Sequence, residues 1–138
     1  MKRLPILLLL CASLLSAQEE PLVDEFPIWG WTGSYGADAT INFRIEGNRL
    51  RVYMLDAEMQ PFDSGIERIN ARINPRGDDP FFLPLNFDAA KLFFTHPRFI
   101  GKPHIFQVTL FLIDDDGEAE RSYSFFLSQA GKNTEPKS

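Results

Sequence analysis

Apolar and polar side chains alternate along much of this chain with a period of two residues, and few folds are compatible with that pattern. In the clearest example, residues 39–46, the apolar positions are Ala39, Ile41, Phe43 and Ile45. A period of two places these side chains on one face of an extended strand, whereas a helix would need a period near 3.6. The stretch therefore predicts a half-buried β-strand.

The same pattern recurs along the chain and predicts an all-β fold. A pair suited to a tight hairpin turn, Gly47-Asn48, is followed by alternation over residues 50–54, 69–73, 81–87, 104–113 and 119–127. Apolar residues on both faces of 104–113 predict a central strand. Six or seven short strands favour a single immunoglobulin-like antiparallel β-sandwich, with a small β-barrel as the alternative.

Two stretches depart from simple alternation. In residues 64–74, Ile69 and Ile73 would share one face of either a strand or a helix, and Ser64 with the glutamate three residues later has capping-box spacing. Asparagine and β-branched residues are poor helix formers, so the strand is favoured over the helix. Pro84 interrupts a later strand, which predicts a sheet edge or a break there.

The N-terminus has the organisation of a secretory signal peptide, which we assign to residues 1–17. Lys2 and Arg3 precede an apolar run over residues 4–15, and small residues follow it. The run is shorter than the roughly 20 residues that span a bilayer. We therefore expect a periplasmic or secreted protein. Cys11, the only cysteine, leaves open a lipoprotein anchored through that residue.

The remaining chain is expected to be one small, acidic domain. Residues 18–128 have the length of a single domain with one core, and the polar residues 129–138 are expected to form a disordered tail. The formal net charge of −5, without a basic cluster, argues against nucleic acid as a partner. No later apolar run is long enough to predict a transmembrane segment. The oligomeric state is left open.

No pattern in the sequence indicates catalysis or a cofactor. A nucleophile beside a base, a paired-carboxylate arrangement and a phosphate-binding glycine loop are all missing. We therefore expect no catalytic residues, no cofactor and a non-catalytic protein that binds another envelope protein or supports an envelope complex. An enzyme with a site of another kind is a further alternative.

Three aromatic residues before the first clear strand, Trp29, Trp31 and Tyr35, are candidates for partner binding. Side chains two residues apart in an extended segment point the same way, so both tryptophan rings are expected on one face. We expect that face to point inward, because a chain without disulfides gains most by burying its largest rings. An outward face would make the three residues a recognition site.

Two histidines are the candidate metal ligands. His96 and His104 flank a loop that contains Pro97 and Pro103 and could approach one another across it. Imidazole is a common ligand of zinc and copper. The other interpretation is that both are ordinary surface histidines.

The run RIEGNRLRVYMLDAEMQPFDSGIERINARI, residues 44–73, resembles a segment of small uncharacterised periplasmic β-sandwich proteins. That segment consists of a strand, Tyr-x-Leu-Asp-Ala, a short turn and a proline. The run IFQVTLFLIDDDGEAERSYSFFL resembles the closing hairpin of the same group, and the resemblance covers residues 39–127. Genes of this group often lie beside heavy-metal efflux systems, which implies a periplasmic accessory or metal-handling role. Members tend to carry a histidine in a glycine-rich segment, and residues 29–36 here contain none.

Overall fold

The computed structural model describes residues 26–27 and 29–128. Their regular elements are β1 (Trp31–Tyr35), β2 (Ala39–Glu46), β3 (Arg49–Leu55), β4 (Arg68–Pro75), β5 (Phe81–Asp88), β6 (Phe93–Thr95), β7 (Phe106–Ile113) and β8 (Ala119–Leu127). This part of the chain contains no helix that is long and apolar enough to cross a membrane. The all-β prediction is confirmed. The predicted signal peptide with Cys11 and the predicted tail 129–138 lie outside the described residues.

The eight strands form one antiparallel sheet in the order β1-β2-β3-β6-β5-β4-β7-β8. Loops 56–67 and 96–105 each skip two strands, so they cross opposite ends of the sheet. The edge strands β1 and β8 approach each other through side chains, which makes the sheet a nearly closed barrel. Of the two predicted architectures, this single sheet follows the small β-barrel, and its strand count exceeds the six or seven expected.

The apolar positions of the alternating pattern fill the inside of this barrel. They come from all the strands from β2 to β8, and the fully buried examples include Phe43, Leu85 and Leu110. The crossing loops contribute one buried isoleucine each, Ile66 at one end and Ile100 at the other. The interior is thus filled by packed side chains, as is usual for a small barrel.

Strand pairing resolves the two ambiguous stretches. The strand interpretation of 64–74 is confirmed from Arg68 onward, where β4 pairs with both β5 and β7. β5 has β4 on one side and β6 on the other. β6 pairs with β5 only over Asn86–Asp88, so at Pro84 the β6 side of β5 has no paired strand. The prediction that this strand lies at a sheet edge or contains a break is therefore wrong, because β5 runs unbroken between β4 and β6. The proline is tolerated because the short β6 does not reach it. β7 also has two neighbours, as predicted, but begins at Phe106.

Candidate functional site

Trp31 packs into the seam between the two edge strands. Its ring stacks on Phe125 with 4.1 Å between centroids and 3° between planes, and Tyr123 meets it edge-on at 5.6 Å. A Cβ atom at Gly33 would overlap the Trp31 ring, so only glycine lets this ring lie along β1. The prediction that Trp31 faces inward agrees with this packing against the core.

Tyr35 takes part in the same seam. Its hydroxyl donates a hydrogen bond to Oε1 of Glu120 on β8 at 3.0 Å, and the Tyr123 hydroxyl donates to the carbonyl oxygen of Ser34 at 2.8 Å. Burial, and then the bond to Glu120, raises the pKa of Tyr35. Side-chain contacts thus link β1 to β8, which no backbone hydrogen-bond ladder joins. Trp31 and Tyr35 both take part in these contacts.

Trp29 lies on the opposite face of the sheet from Trp31. Gly30 between them has a φ of +85°, and a Cβ atom there would overlap the carbonyl oxygen of Phe43. The chain therefore turns at Gly30 and the extended geometry ends, so Trp29 passes to the outer face. The expectation that the two tryptophans share a face is wrong for this reason.

On the outer face, Trp29 belongs to an aromatic cage around a buried arginine. The guanidinium carbon of Arg44 lies 4.4, 4.6 and 4.7 Å from the ring centroids of Phe26, Trp29 and Tyr53. Only 1% of Arg44 is exposed. Cation–π contacts of this kind strengthen when the cation is desolvated, so they help to retain the charge.

Hydrogen bonds complete the environment of Arg44. Its Nη2 donates to the carbonyl oxygen of Pro27 at 2.8 Å and its Nε to Oδ1 of Asn42 at 2.9 Å, while Asn42 donates to the carbonyl oxygen of Trp29. Burial lowers the pKa of Arg44, and Glu46 at 3.4 Å opposes that effect. The cluster attaches the segment before β1 to β2. Partner binding by Trp29, Trp31 and Tyr35 stays a prediction.

The two histidines lie on loop 96–105, and each contacts the loop backbone. Nδ1 of His96 accepts a hydrogen bond from the Arg98 amide at 3.0 Å, and Nε2 of His104 lies 3.0 Å from the carbonyl oxygen of Ile100. In residues 26–27 and 29–128 no group of three or more His, Cys, Asp or Glu side chains is placed to hold a metal. Metal binding by His96 and His104 stays a prediction.

A cleft of about 410 Å³ opens at the end of the barrel that loop 96–105 crosses. Its apolar lining comes from the ends of β4, β5 and β7 and from the loop itself. Its apolar side chains include Ile73, Phe81, Phe99, Ile105 and Phe106. Volume and composition are in the range of small binding sites, and the mouth of a barrel is a usual place for one.

Basic side chains surround this cleft. Arg76 comes from the β4–β5 loop, and Arg98 and Lys102 come from loop 96–105. The guanidinium carbon of Arg98 lies 4.1 Å from the centroid of the Phe81 ring. In the part of the chain that the structure describes, Glu46 is the only carboxylate that forms ion pairs, and its partners are Arg44 and Arg51. The three cations around the cleft therefore form no ion pair with a carboxylate of the described residues.

No pattern in the sequence predicts this cleft. Loop 96–105 does contain one indication of a binding site, an aromatic residue between basic ones, Arg98-Phe99 with Lys102. The histidines and prolines of the same loop predict a metal site instead. The other wall comes from residues 73–81, which are far away in the chain. Only the pairing of β4 with β5 and β7 brings the two segments together.

Fold and site together define a small, nearly closed, eight-stranded antiparallel barrel with an apolar cleft surrounded by cations at one end. No model of a known protein family matches the chain, and comparisons with curated proteins and with solved structures found no significant match either.

Proposed function

We propose that this chain is a non-catalytic binding protein, exported to the periplasm or secreted, that contacts a partner protein of the cell envelope through the cleft at the end of its barrel. The observation that carries the proposal is Phe99. This side chain is 62% exposed at the rim of an apolar cleft.

The composition of the cleft favours protein recognition. Large aromatic side chains and arginine are the residues that contribute most to protein–protein binding when a partner covers them. Phe99 and Arg98 are adjacent, and Phe81 lies under the Arg98 guanidinium. Covering Phe99 would remove a large apolar surface from water, which is the main favourable contribution to association.

The chemistry of the lining favours binding over catalysis. Its charged groups are three cations and the Asp78 carboxylate, and none of the described lining residues is Ser, Thr, Cys, His or Tyr. The usual pairing of a nucleophile with a base therefore has no members among them.

The test is site-specific photo-crosslinking in the cell that produces the protein. A photoreactive phenylalanine analogue replaces Phe99 in one variant and Phe126 in the other. Phe126 is a matched control, because it is 57% exposed but lies on the outside of β8. We expect one discrete protein adduct from position 99 and none from position 126. Equal adducts from both positions, or none from position 99, would contradict the proposal.

A further inference from the structure

We propose that the cleft takes a segment of the partner in which one or two apolar side chains are flanked by carboxylates. This inference rests on the proposed function and adds the chemistry of the partner. Its two halves, the apolar centre and the acidic flanks, follow from different features of the cleft.

The apolar centre follows from the shape of the cleft. Ile73 and Phe106, which are 1% and 4% exposed, belong to the packed core and close the bottom of the cleft. Because side chains fill the barrel interior, a long chain cannot extend inward from this point. The 410 Å³ available at the surface suits a short protruding element, such as one or two side chains of another polypeptide.

The acidic flanks follow from the three cations around the cleft. Arg76, Arg98 and Lys102 stand close to one apolar surface without carboxylate partners among the described residues, and Asp78 is the one carboxylate of the lining. Arginine can bind a carboxylate with two parallel N–H bonds while its flat face remains on an aromatic ring. Arg98 over Phe81 has that arrangement, so apolar and anionic groups of one ligand would be bound side by side.

The distribution of charge in the whole chain favours an acidic partner at this end and disfavours it at the other. The overall charge is −5, yet three cations gather around the cleft and outnumber the two carboxylates of the β4–β5 loop, Asp78 in the lining and Asp79 beside it. The loops at the opposite end carry Asp38, Asp56, Glu58, Asp63, Glu67, Asp114, Asp115, Asp116 and Glu118. An acidic segment would be repelled there and attracted here, over distances near the Debye length of about 10 Å at 0.1 M salt.

The chain itself contains a segment with the same chemistry. In residues 18–25, Leu22 and Val23 stand between two pairs of carboxylates. This segment is a competing occupant, and the experiment below separates it from a partner. Its four carboxylates can be neutralised by Glu19→Gln, Glu20→Gln, Asp24→Asn and Glu25→Gln without shortening the protein.

The experiment measures binding of the blocked peptide Glu-Glu-Leu-Phe-Glu-Glu to the exported protein by nuclear magnetic resonance and fluorescence anisotropy. We expect amide shifts confined to the cleft, around Phe81, Phe99 and Ile105. A peptide with glutamine in place of every glutamate should bind about ten-fold more weakly, since several exposed charge pairs are lost at once. Raising the salt concentration should weaken only the acidic peptide.

Variants assign the binding to the cleft. Arg98→Gln combined with Lys102→Gln should lower the affinity for the acidic peptide about five-fold or more, and Phe99→Ser should lower it for both peptides. The matched controls are Lys91→Gln, a cation in the exposed β5–β6 turn at the opposite end, and Phe126→Ser. Neither control should change the affinity.

Each of the following outcomes would overturn the inference. The glutamine peptide could bind as tightly as the acidic one, or dodecanoate could occupy the cleft more tightly than either peptide. The acidic peptide could also bind only after residues 18–25 are neutralised, which would make that segment the occupant. A discrete crosslink at position 99 without binding of the acidic peptide would reject this inference alone. Absence of the crosslink would reject the proposed function itself.

Discussion

Arg44 is buried although the alternating pattern of β2 predicts an exposed side chain at this position. It occupies a polar position of β2, and alternation alone would place it in water. The segment before β1 covers it, so the guanidinium is buried among three aromatic rings and hydrogen-bonded to Pro27 and Asn42. A buried ion is tolerated when its hydrogen bonds are made, and it becomes costly when one partner is removed.

We expect Arg44→Met to lower the free energy of unfolding by about 2–4 kcal/mol, because the acceptors on Pro27 and Asn42 lose their buried donors. Arg68→Met at the exposed start of β4 is the control and should change it by less than about 0.5 kcal/mol. Urea denaturation measures both. If the two substitutions lowered the free energy of unfolding by the same amount, the aromatic cage would make no specific contribution to stability.

At the scale of elements, the strands differ in how their neighbours are chosen. Hairpin neighbours such as β2–β3 and β7–β8 are adjacent in the chain, and their alternation and turns predicted them. Other neighbours come from segments that are distant in the chain, as in the pairs β3–β6 and β4–β7 and in the seam between β1 and β8. The three-residue β6 is too short to show a period, and β1 is interrupted by the glycine over which Trp31 lies, so the sequence indicated both only weakly.

The seam should give the protein a specific sensitivity to alkaline pH. Folding raises the pKa of Tyr35 above 10.0, so above pH 10 the unfolded state binds fewer protons and stability falls as pH rises. Burial is the main cause and Glu120 adds to it, while Arg121 opposes it. We expect Tyr35→Phe to show a shallower loss of stability between pH 9 and about pH 11.

Urea denaturation at a series of pH values checks this prediction. Burial also raises the pKa of Tyr53, which is present in both proteins, so the difference between wild type and Tyr35→Phe isolates the seam. Parallel pH curves for the two proteins would contradict the assignment.

At the scale of the whole molecule, two predictions concern export and metal binding. The order of charged, apolar and small residues before Gln18 predicts cleavage near that residue. We expect the intact mass of the secreted protein to correspond to a chain that begins there. A mass that includes Met1, or a lipid on Cys11, would refute the prediction.

The metal-binding prediction is tested by calorimetric titration of the purified protein with zinc and with copper. If His96 and His104 are ligands, the wild type should bind in the micromolar range or tighter, and a variant with His96→Ala and His104→Ala should lose that binding. Heat changes of the same size in both proteins would show that the metal ions bind to residues other than His96 and His104.

The all-β class, most strand positions and most inward-facing residues could be predicted from the sequence, because side-chain direction along a strand is a local property with a period of two. The proline in β5 was misleading, because the shortness of β6 lets an interior strand accommodate a residue that lacks a backbone donor. The other features of the fold and of the site could not be predicted from the sequence. Closure of the barrel, the separation of Trp29 from Trp31, the burial of Arg44 and the cleft beside Phe99 all depend on contacts between distant segments. Local pattern carries no information about which distant segments meet, because many strand orders bury the same apolar faces.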